Sequence, residues 1–341
     1  MAAAPRLGRR LVWGAILLLV AAFAVAPVLL SHDVYSYVDY ARLGVRHGLD
    51  PYVHPPLAAP ADPVFAEVTW TEATSAYGPL FTLFTYPLAW LPVGLAVAVL
   101  KAVAALSVIG IAMTVSRIAA WRGVDPLRAA AFVALNPLVL VHVVGGGHND
   151  GLTMLLATLS VAALLSAREL SGGAALAAAV ATKSAAAFIA PFALLGARDR
   201  PRFLAGVAIC AGGVAAAAWL AFGWDWLSGF GLAGENQSRT SYMSIPITTA
   251  RLTGLDPGAV RLAAGLLFAA AVVYLLAWTW RGGDWVRAAA WTALALLLAT
   301  AWLLPWYLIW ALPLVAISRD RPLQLLTLAL TAYQLGARIP L

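Results

Sequence analysis

The amino-acid sequence predicts an all-α polytopic membrane protein of about eleven transmembrane helices. Of its 341 residues, 62% are hydrophobic and only 11% are charged, whereas an ordinary soluble domain has roughly 25% charged residues. The apolar residues form uncharged blocks, many of them close to the roughly 20 helical residues that cross a hydrocarbon core of about 30 Å. Arginines recur between these blocks. Together these observations argue against a soluble fold.

The predicted spans cover residues 11–30, 93–116, 129–147, 151–167, a short pair within 172–196, 203–222, 262–280, 286–304, 306–317 and 322–335. The first block resembles a signal peptide, but we interpret it as a retained span. Neither arm of the 172–196 pair is long enough to cross the bilayer, so we expect Lys183 at a hairpin tip within the membrane. The apolar stretch 80–90 is predicted to be interfacial or re-entrant.

The charge distribution predicts a cytoplasmic N-terminus, because short cytoplasmic loops retain basic residues. With that orientation the cytoplasmic set is Arg6, Arg9, Arg10, Arg117, Arg122, Arg128, Arg168, Arg198, Arg200, Arg202, Arg281, Arg287, Arg319 and Arg321. Most acidic residues then lie outside, namely Asp33, Asp39, Asp50, Asp62, Glu67, Glu72, Asp150, Asp225, Glu235 and Asp256. The net charge of +7 is therefore a topology signal, and dispersed arginines make nucleic acid an unexpected partner.

We expect one transmembrane domain over residues 1–341, with large external loops at 31–78 and 223–260. Function concentrates in loops held by a rigid scaffold, and the cytoplasmic connections are short. The expected location is the plasma membrane, with the active site facing the extracytoplasmic side. Within the first loop, residues 35–47 have the pattern of an amphipathic helix lying on the membrane interface.

Asp33, directly after the first span, is the candidate catalytic base. A carboxylate is ionised at neutral pH and can accept a proton from a hydroxyl nucleophile. The alternative is a solvated acid or a helix N-cap. Tyr35 in the same segment is a candidate substrate-binding residue.

A second polar turn, His148, Asn149 and Asp150, follows three glycines at the outer end of a span. Three polar side chains at one tight turn can bind sugar hydroxyls. The alternatives are a helix cap with a glycine turn and, ranked last, a metal site, because no supporting ligand cluster is present.

Lys183 and Arg239 are the candidate cations. A charge within a span is costly and usually functional, and a phosphate is a suitable partner for Lys183. Snorkelling to the interface is the alternative, which we prefer for Lys101. Arg239, in the second external loop, offers a second cation for phosphate.

Trp306 and Tyr307 follow a helix break at the outer interface. They are candidate substrate-binding residues that stack on a sugar or a prenyl chain. An aromatic belt is an equally good explanation.

Five motifs in order, DVYSY, YGPLF, NPLVLVHVVGGGHNDG, ATKSAAAFIAPFAL and PWYLIWALP, resemble the actinobacterial polyprenyl-phosphomannose-dependent α-1,6-mannosyltransferases of the GT-C superfamily. The resemblance implies a GT-C-like bundle and transfer of mannose from a polyprenyl monophosphate to a lipid-anchored mannan at the outer face. It assigns the base to Asp33, acceptor positioning to the 148–150 turn and donor phosphate to Lys183. Typical members are longer, so we expect this chain to lack their last spans.

The expected mechanism is a single inverting displacement without a cofactor or metal. The expected partners are the lipid-phosphate sugar, the lipid-anchored glycan and membrane lipid. Two alternatives are kept open: a flippase for a polyprenyl-linked saccharide, and a related enzyme that uses another sugar.

Overall fold

A computed structural model describes residues 8–235 and 238–336, and every regular element in these two ranges is a helix. Arg6 and residues 337–341 lie outside the described part. The α-helices are α1 (Arg9–Val25), α2 (Asp33–His47), α3 (Pro79–Thr85), α4 (Val93–Trp121), α5 (Pro126–Ala134), α6 (Asp150–Leu165), α7 (Glu169–Thr182), α8 (Ala190–Gly196), α9 (Arg200–Phe222), α10 (Ser228–Glu235), α11 (Ile245–Thr253), α12 (Pro257–Trp280), α13 (Trp285–Ala299), α14 (Leu312–Ile317) and α15 (Arg321–Gly336). The predicted all-α class is confirmed.

Three of the described helices, α4, α9 and α12, are long and apolar enough to cross a membrane. More than half of the apolar stretch of α4 is buried, whereas α9 and α12 expose most of theirs, as helices facing lipid do. Several shorter apolar helices accompany them, among them α6, α7 and α13. The number of eleven spans stays a prediction.

Proline residues divide some of the predicted spans. The 129–147 stretch forms α5 to Ala134 and then a π-helical turn over Val139–Val144. Pro137 lies between them, and a proline disfavours helical backbone at the residue before it. In the same way α1 ends at Val25, and Ala26, the residue before Pro27, has extended backbone.

Helix α4 runs through the core from the end that carries Asp33 to the opposite end. Its side chains Val108, Ile111 and Val115 are fully buried in one apolar cluster with Ile16 of α1 and Met154 of α6. Arg122 follows the last turn of α4, and a residue 21 positions earlier lies roughly 30 Å away along the axis. The protein therefore has two well-separated polar ends.

The interpretation of Lys101 as a snorkelling side chain is wrong. Lys101 is buried, and its Nζ donates hydrogen bonds to the carbonyls of Ala26 and Pro27. The chain after α1 has left its helix there, so these carbonyls need a donor. Lys101 supplies that donor inside the protein and does not reach the surface.

The segment over residues 31–78 packs against the bundle through α2. Val34, Tyr37 and Val38 are fully buried, so α2 is not the surface-lying interfacial helix predicted from residues 35–47. The hydrophobic residues that gave the amphipathic pattern face protein on more than one side of the helix. This packing holds Asp33, the first residue of α2, in place.

Candidate active site

A cavity of about 520 Å³ opens where α2 begins and α7 ends. Three charged side chains line it: Asp33, Lys183 and Arg239. Aromatic rings form much of the remaining wall, and they are Tyr40, Trp70, Tyr77, Phe230, Trp302, Trp306, Tyr307 and Trp310. Flat aromatic faces beside a carboxylate and two cations suit a sugar with an attached anion.

Asp33 is held by two neighbours. Trp70 Nε1 donates a hydrogen bond of 3.1 Å to Oδ1, and His148 Nε2 lies 3.6 Å from Oδ2. Burial raises the pKa of Asp33, but the nearby His148 imidazole, the Trp70 hydrogen bond and the Lys183 charge together lower it below its ordinary value of 3.8. The carboxylate is therefore ionised at neutral pH and oriented towards the cavity wall.

His148 is fully buried behind Asp33. Its Nδ1 lies 2.7 Å from the carbonyl oxygen of His142, which only accepts, so Nδ1 carries a proton. Nε2 then faces the Asp33 carboxylate, and this contact is attractive when Nε2 is protonated. The ring stacks on Trp306 at 3.9 Å between centroids, which leaves the imidazole little freedom to turn.

Lys183 lies where helical backbone stops. It follows α7 in an extended conformation, and a 3₁₀ segment, Ser184–Ile189, comes next. Its Nζ donates to both oxygens of Asp150, at 2.9 and 2.8 Å, and Trp310 Nε1 donates to Asp150 Oδ1 at 2.6 Å. Nζ also lies 5.4 Å from the ring centre of Tyr307, within the range of a cation–π interaction. The ammonium group is thus placed at the cavity by a buried acid and two aromatic rings.

Close backbone contact brings the end of the first loop to Lys183. Gly78 N donates to the carbonyl of Thr182 at 3.1 Å. A Cβ at position 78 would lie 2.1 Å from the carbonyl oxygen of Ala181, so only glycine permits this approach. Tyr77 and Lys183 therefore share the cavity.

Five of the nine candidate residues from the sequence line this cavity: Asp33, Lys183, Arg239, Trp306 and Tyr307. Arg239 is exposed, and its guanidinium lies 5.1 Å from the ring centre of Trp70.

The other four candidates do not line the cavity. His148, Asn149 and Asp150 are buried behind its wall, where they contact Tyr37 and the charged groups of the site. Tyr35 packs beside His32, with 5.3 Å between ring centres. The sequence predicted this polar turn as a sugar-binding site, whereas the structure buries its side chains beside Asp33, Lys183 and Tyr37.

Sequence reasoning missed Trp70, Trp310 and Phe230. The signal for Trp70 was a large aromatic residue between two acids in a polar loop. Trp310 belongs to the aromatic motif that contains Trp306, but its bond to Asp150 joins distant parts of the chain. Phe230 carried no signal that separates it from an ordinary apolar residue.

An apolar groove of about 480 Å³ runs between α7, α8 and α9 and has Phe230 in common with the cavity. Its walls include Leu176, Val180, Leu204 and Ala211. Within the described ranges, no three His, Cys, Asp or Glu side chains gather as a metal ligand set.

Residues 1–198 match the family model described as "Alpha-(1->6)-mannopyranosyltransferase, N-terminal domain". The chain is 30% identical over 331 residues to alpha-(1->6)-mannopyranosyltransferase A of Mycobacterium tuberculosis, a match covering 85% of this chain and 63% of that protein. It is 35% identical over 173 residues to alpha-(1->6)-mannopyranosyltransferase A of Corynebacterium glutamicum, covering 49% of this chain and 35% of the relative.

The chain thus spans less than two thirds of the length of these relatives. No solved structure matches it.

Proposed function

Because this chain belongs to the alpha-(1->6)-mannopyranosyltransferase family, we propose that it is a glycosyltransferase that moves mannose from a polyprenyl monophosphate to a lipid-anchored glycan acceptor. The observation that carries the proposal is one cavity lined by an ionised carboxylate, two cations and a series of aromatic rings. Transfer is expected at the outer face of the plasma membrane with inversion at the anomeric carbon, forming an α-1,6 linkage.

Asp33 acts as the base. The acceptor hydroxyl oxygen attacks the anomeric carbon while its proton passes to an Asp33 oxygen. Trp70 and His148 hold the carboxylate, and His148 compensates its charge when protonated. Both neighbours favour the ionised form, which is the form that accepts a proton.

The two cations serve the departing phosphate. As the bond between the anomeric carbon and the phosphate oxygen breaks, the electron pair stays on that oxygen, and fixed positive charge stabilises it. Arg239 has no acidic partner within residues 8–235 and 238–336, so its planar fork is available for phosphate. Lys183 is already paired with Asp150, so it would present to the phosphate only the positive end of an ion-pair dipole at the cavity wall.

The adjoining apolar groove supports a lipid-linked donor. It shares Phe230 with the cavity and is lined almost entirely by apolar side chains of α7, α8 and α9. A prenyl chain in the groove would place its phosphate at the cavity mouth. Because the prenyl chain of such a donor already lies in hydrocarbon, the groove would position the attached phosphate rather than supply transfer free energy from water.

The test is a transfer assay with membranes that contain the full chain, polyprenyl phosphate carrying radiolabelled mannose, and a mannan-lipid acceptor. Label should move into a larger lipid glycan with release of polyprenyl phosphate, and methylation analysis should show a new 1,6 linkage. A flippase would instead change the leaflet of the intact donor without a new glycosidic bond, and that outcome would replace the proposal. If transfer occurs only from a donor that carries another sugar, the proposed donor sugar is that sugar and not mannose.

A further inference from the structure

A second polar pocket, of about 340 Å³, lies at the end of the bundle opposite Asp33. It is lined by Arg128 of α5, Arg319 before α15, Arg321 at the start of α15, and Gln324. Arg319 has a positive φ of 60°, uncommon for a residue with a side chain, and a Cβ added at Gly123 would lie 3.1 Å from its Nη2. The chain thus adopts unusual backbone where it brings these guanidinium groups together.

The acids nearby are already engaged. Asp284 pairs with Arg122, and Asp320 accepts from Arg287 at 2.7 Å. Asp125 caps α5 by accepting from two backbone N–H groups. In the part of the chain that the structure describes, the three pocket arginines have no acidic partner, and no acid lines the pocket. About three positive charges are left for an external anion.

The surface beside the pocket is apolar. Leu325 and Leu328 of α15 are exposed, at 57% and 45%. They follow Arg321 by four and seven residues, so all three share one face of the helix. An anion bound by the arginines would lie next to this apolar surface of α15. An acyl chain attached to the anion could pack on that surface, whereas free phosphate has no group that would use it.

We propose that this pocket binds the phosphate headgroup of an anionic phospholipid in the leaflet opposite the candidate active site, with its acyl chains along α15. Arginine forks bind phosphate oxygens in pairs, and the cytoplasmic leaflet carries anionic lipid that attracts basic segments. The proposal is independent of the transfer reaction.

The test uses the full chain, purified in detergent and depleted of lipid. Native mass spectrometry would compare phosphatidylglycerol, phosphatidylcholine and inorganic phosphate as ligands. The pocket variant is Arg128→Gln with Arg319→Gln and Arg321→Gln. The matched control is Arg168→Gln with Arg198→Gln and Arg281→Gln, which removes three exposed arginines from the same end of the bundle but outside the pocket.

Wild type and control should bind phosphatidylglycerol at least about tenfold more tightly than phosphatidylcholine, and the pocket variant should lose that preference. Equal loss in the control, or no preference in wild type, overturns the proposal. Displacement of phosphatidylglycerol by an equal concentration of inorganic phosphate would reassign the pocket to a free anion. Should the pocket variant fail to fold, as judged by circular dichroism, the wild-type comparison and Arg319→Gln alone decide the same question.

Discussion

The imidazole of His148 lies 3.6 Å from the carboxylate of Asp33 and is stacked on Trp306 on its other side. The histidine is fully buried, and the carboxylate side chain keeps 17% of its surface exposed to the cavity. In the proposed function, the base that substrate would reach is therefore oriented by a neighbour that substrate would not contact.

Replacing His148 by Gln should shift the acidic limb of the pH profile for transfer to higher pH. Asp33 is active as a base only above its pKa, and activity falls as the pH drops through that value. Burial raises this pKa, and the nearby His148 imidazole lowers it, so the limb should move to higher pH when that imidazole is removed. The measurement is kcat/KM between about pH 4 and 8. The control variant is His54→Gln. If the acidic limb does not shift in His148→Gln, His148 does not influence the pKa of Asp33.

Replacing Asp33 by Asn should lower kcat by about 10²- to 10⁴-fold, the usual contribution of a general base. The amide keeps the shape of the side chain but cannot take a proton from the acceptor. Asp225→Asn removes an exposed acid outside the cavity and should leave the rate unchanged. Turnover at the wild-type rate in Asp33→Asn membranes would eliminate Asp33 as the base.

Replacing Lys183 by Met should destabilise the protein more than replacing both members of its ion pair. Asp150 is fully buried, and leaving such a charge without its partner lowers the free energy of unfolding by about 3–5 kcal/mol. The double variant with Asp150→Asn should recover much of the thermal stability in detergent but none of the lost transfer rate. Equal melting temperatures for the single and double variants would mean that the interaction between Lys183 and Asp150 does not affect stability.

Narrowing the apolar groove should select against long prenyl chains. Ala211→Trp would place a large ring among the groove residues of α9, whereas Ala216→Trp adds the same ring on an exposed part of the helix outside the groove. We expect Ala211→Trp to raise KM about tenfold for a long-chain donor, and by less than about twofold for a short-chain analogue, because only the long chain needs the groove. The same KM increase for both donors would place the lipid elsewhere.

Protonation of Asp39 should make the segment over residues 31–78 more stable in mild acid. Burial and the charge of Asp62 raise the pKa of Asp39 to about 7, against an opposing effect of His47 and Arg42. A raised carboxyl pKa gives stability that is complete below the unfolded value of about 3.8 and is lost as the pH rises towards 7. The loss should be roughly 4 kcal/mol at most.

In Asp39→Asn the difference in the free energy of unfolding between pH 5 and pH 8 should become smaller, because the side chain at position 39 no longer ionises. Asp256→Asn, an exposed helix cap, is the control for a general charge effect. A pH dependence retained in full by Asp39→Asn would exclude this carboxyl as its source.

The sequence by itself predicted the all-helical class of the protein and several of the residues that line its charged cavity. Low charge and long apolar blocks argue against a soluble fold because the free energy of exposing apolar surface to water rises with its area. Asp33, Lys183 and Arg239 stood out as charges beside or within apolar segments, and this local contrast needs no knowledge of the fold. The ordered motifs also predicted the family that the family model then matched.

Only the tertiary structure decided which side chains meet. Pairings such as Asp150 with Lys183 and Trp310, or Asp33 with Trp70 and His148, join residues that are distant in the chain. Hydrophobic periodicity reports one helix at a time and contains no information on how helices are placed against each other. For that reason the turn at 148–150, read as a surface for sugar, proved to be buried behind the cavity wall. Its burial follows from packing against distant segments, which local pattern does not encode.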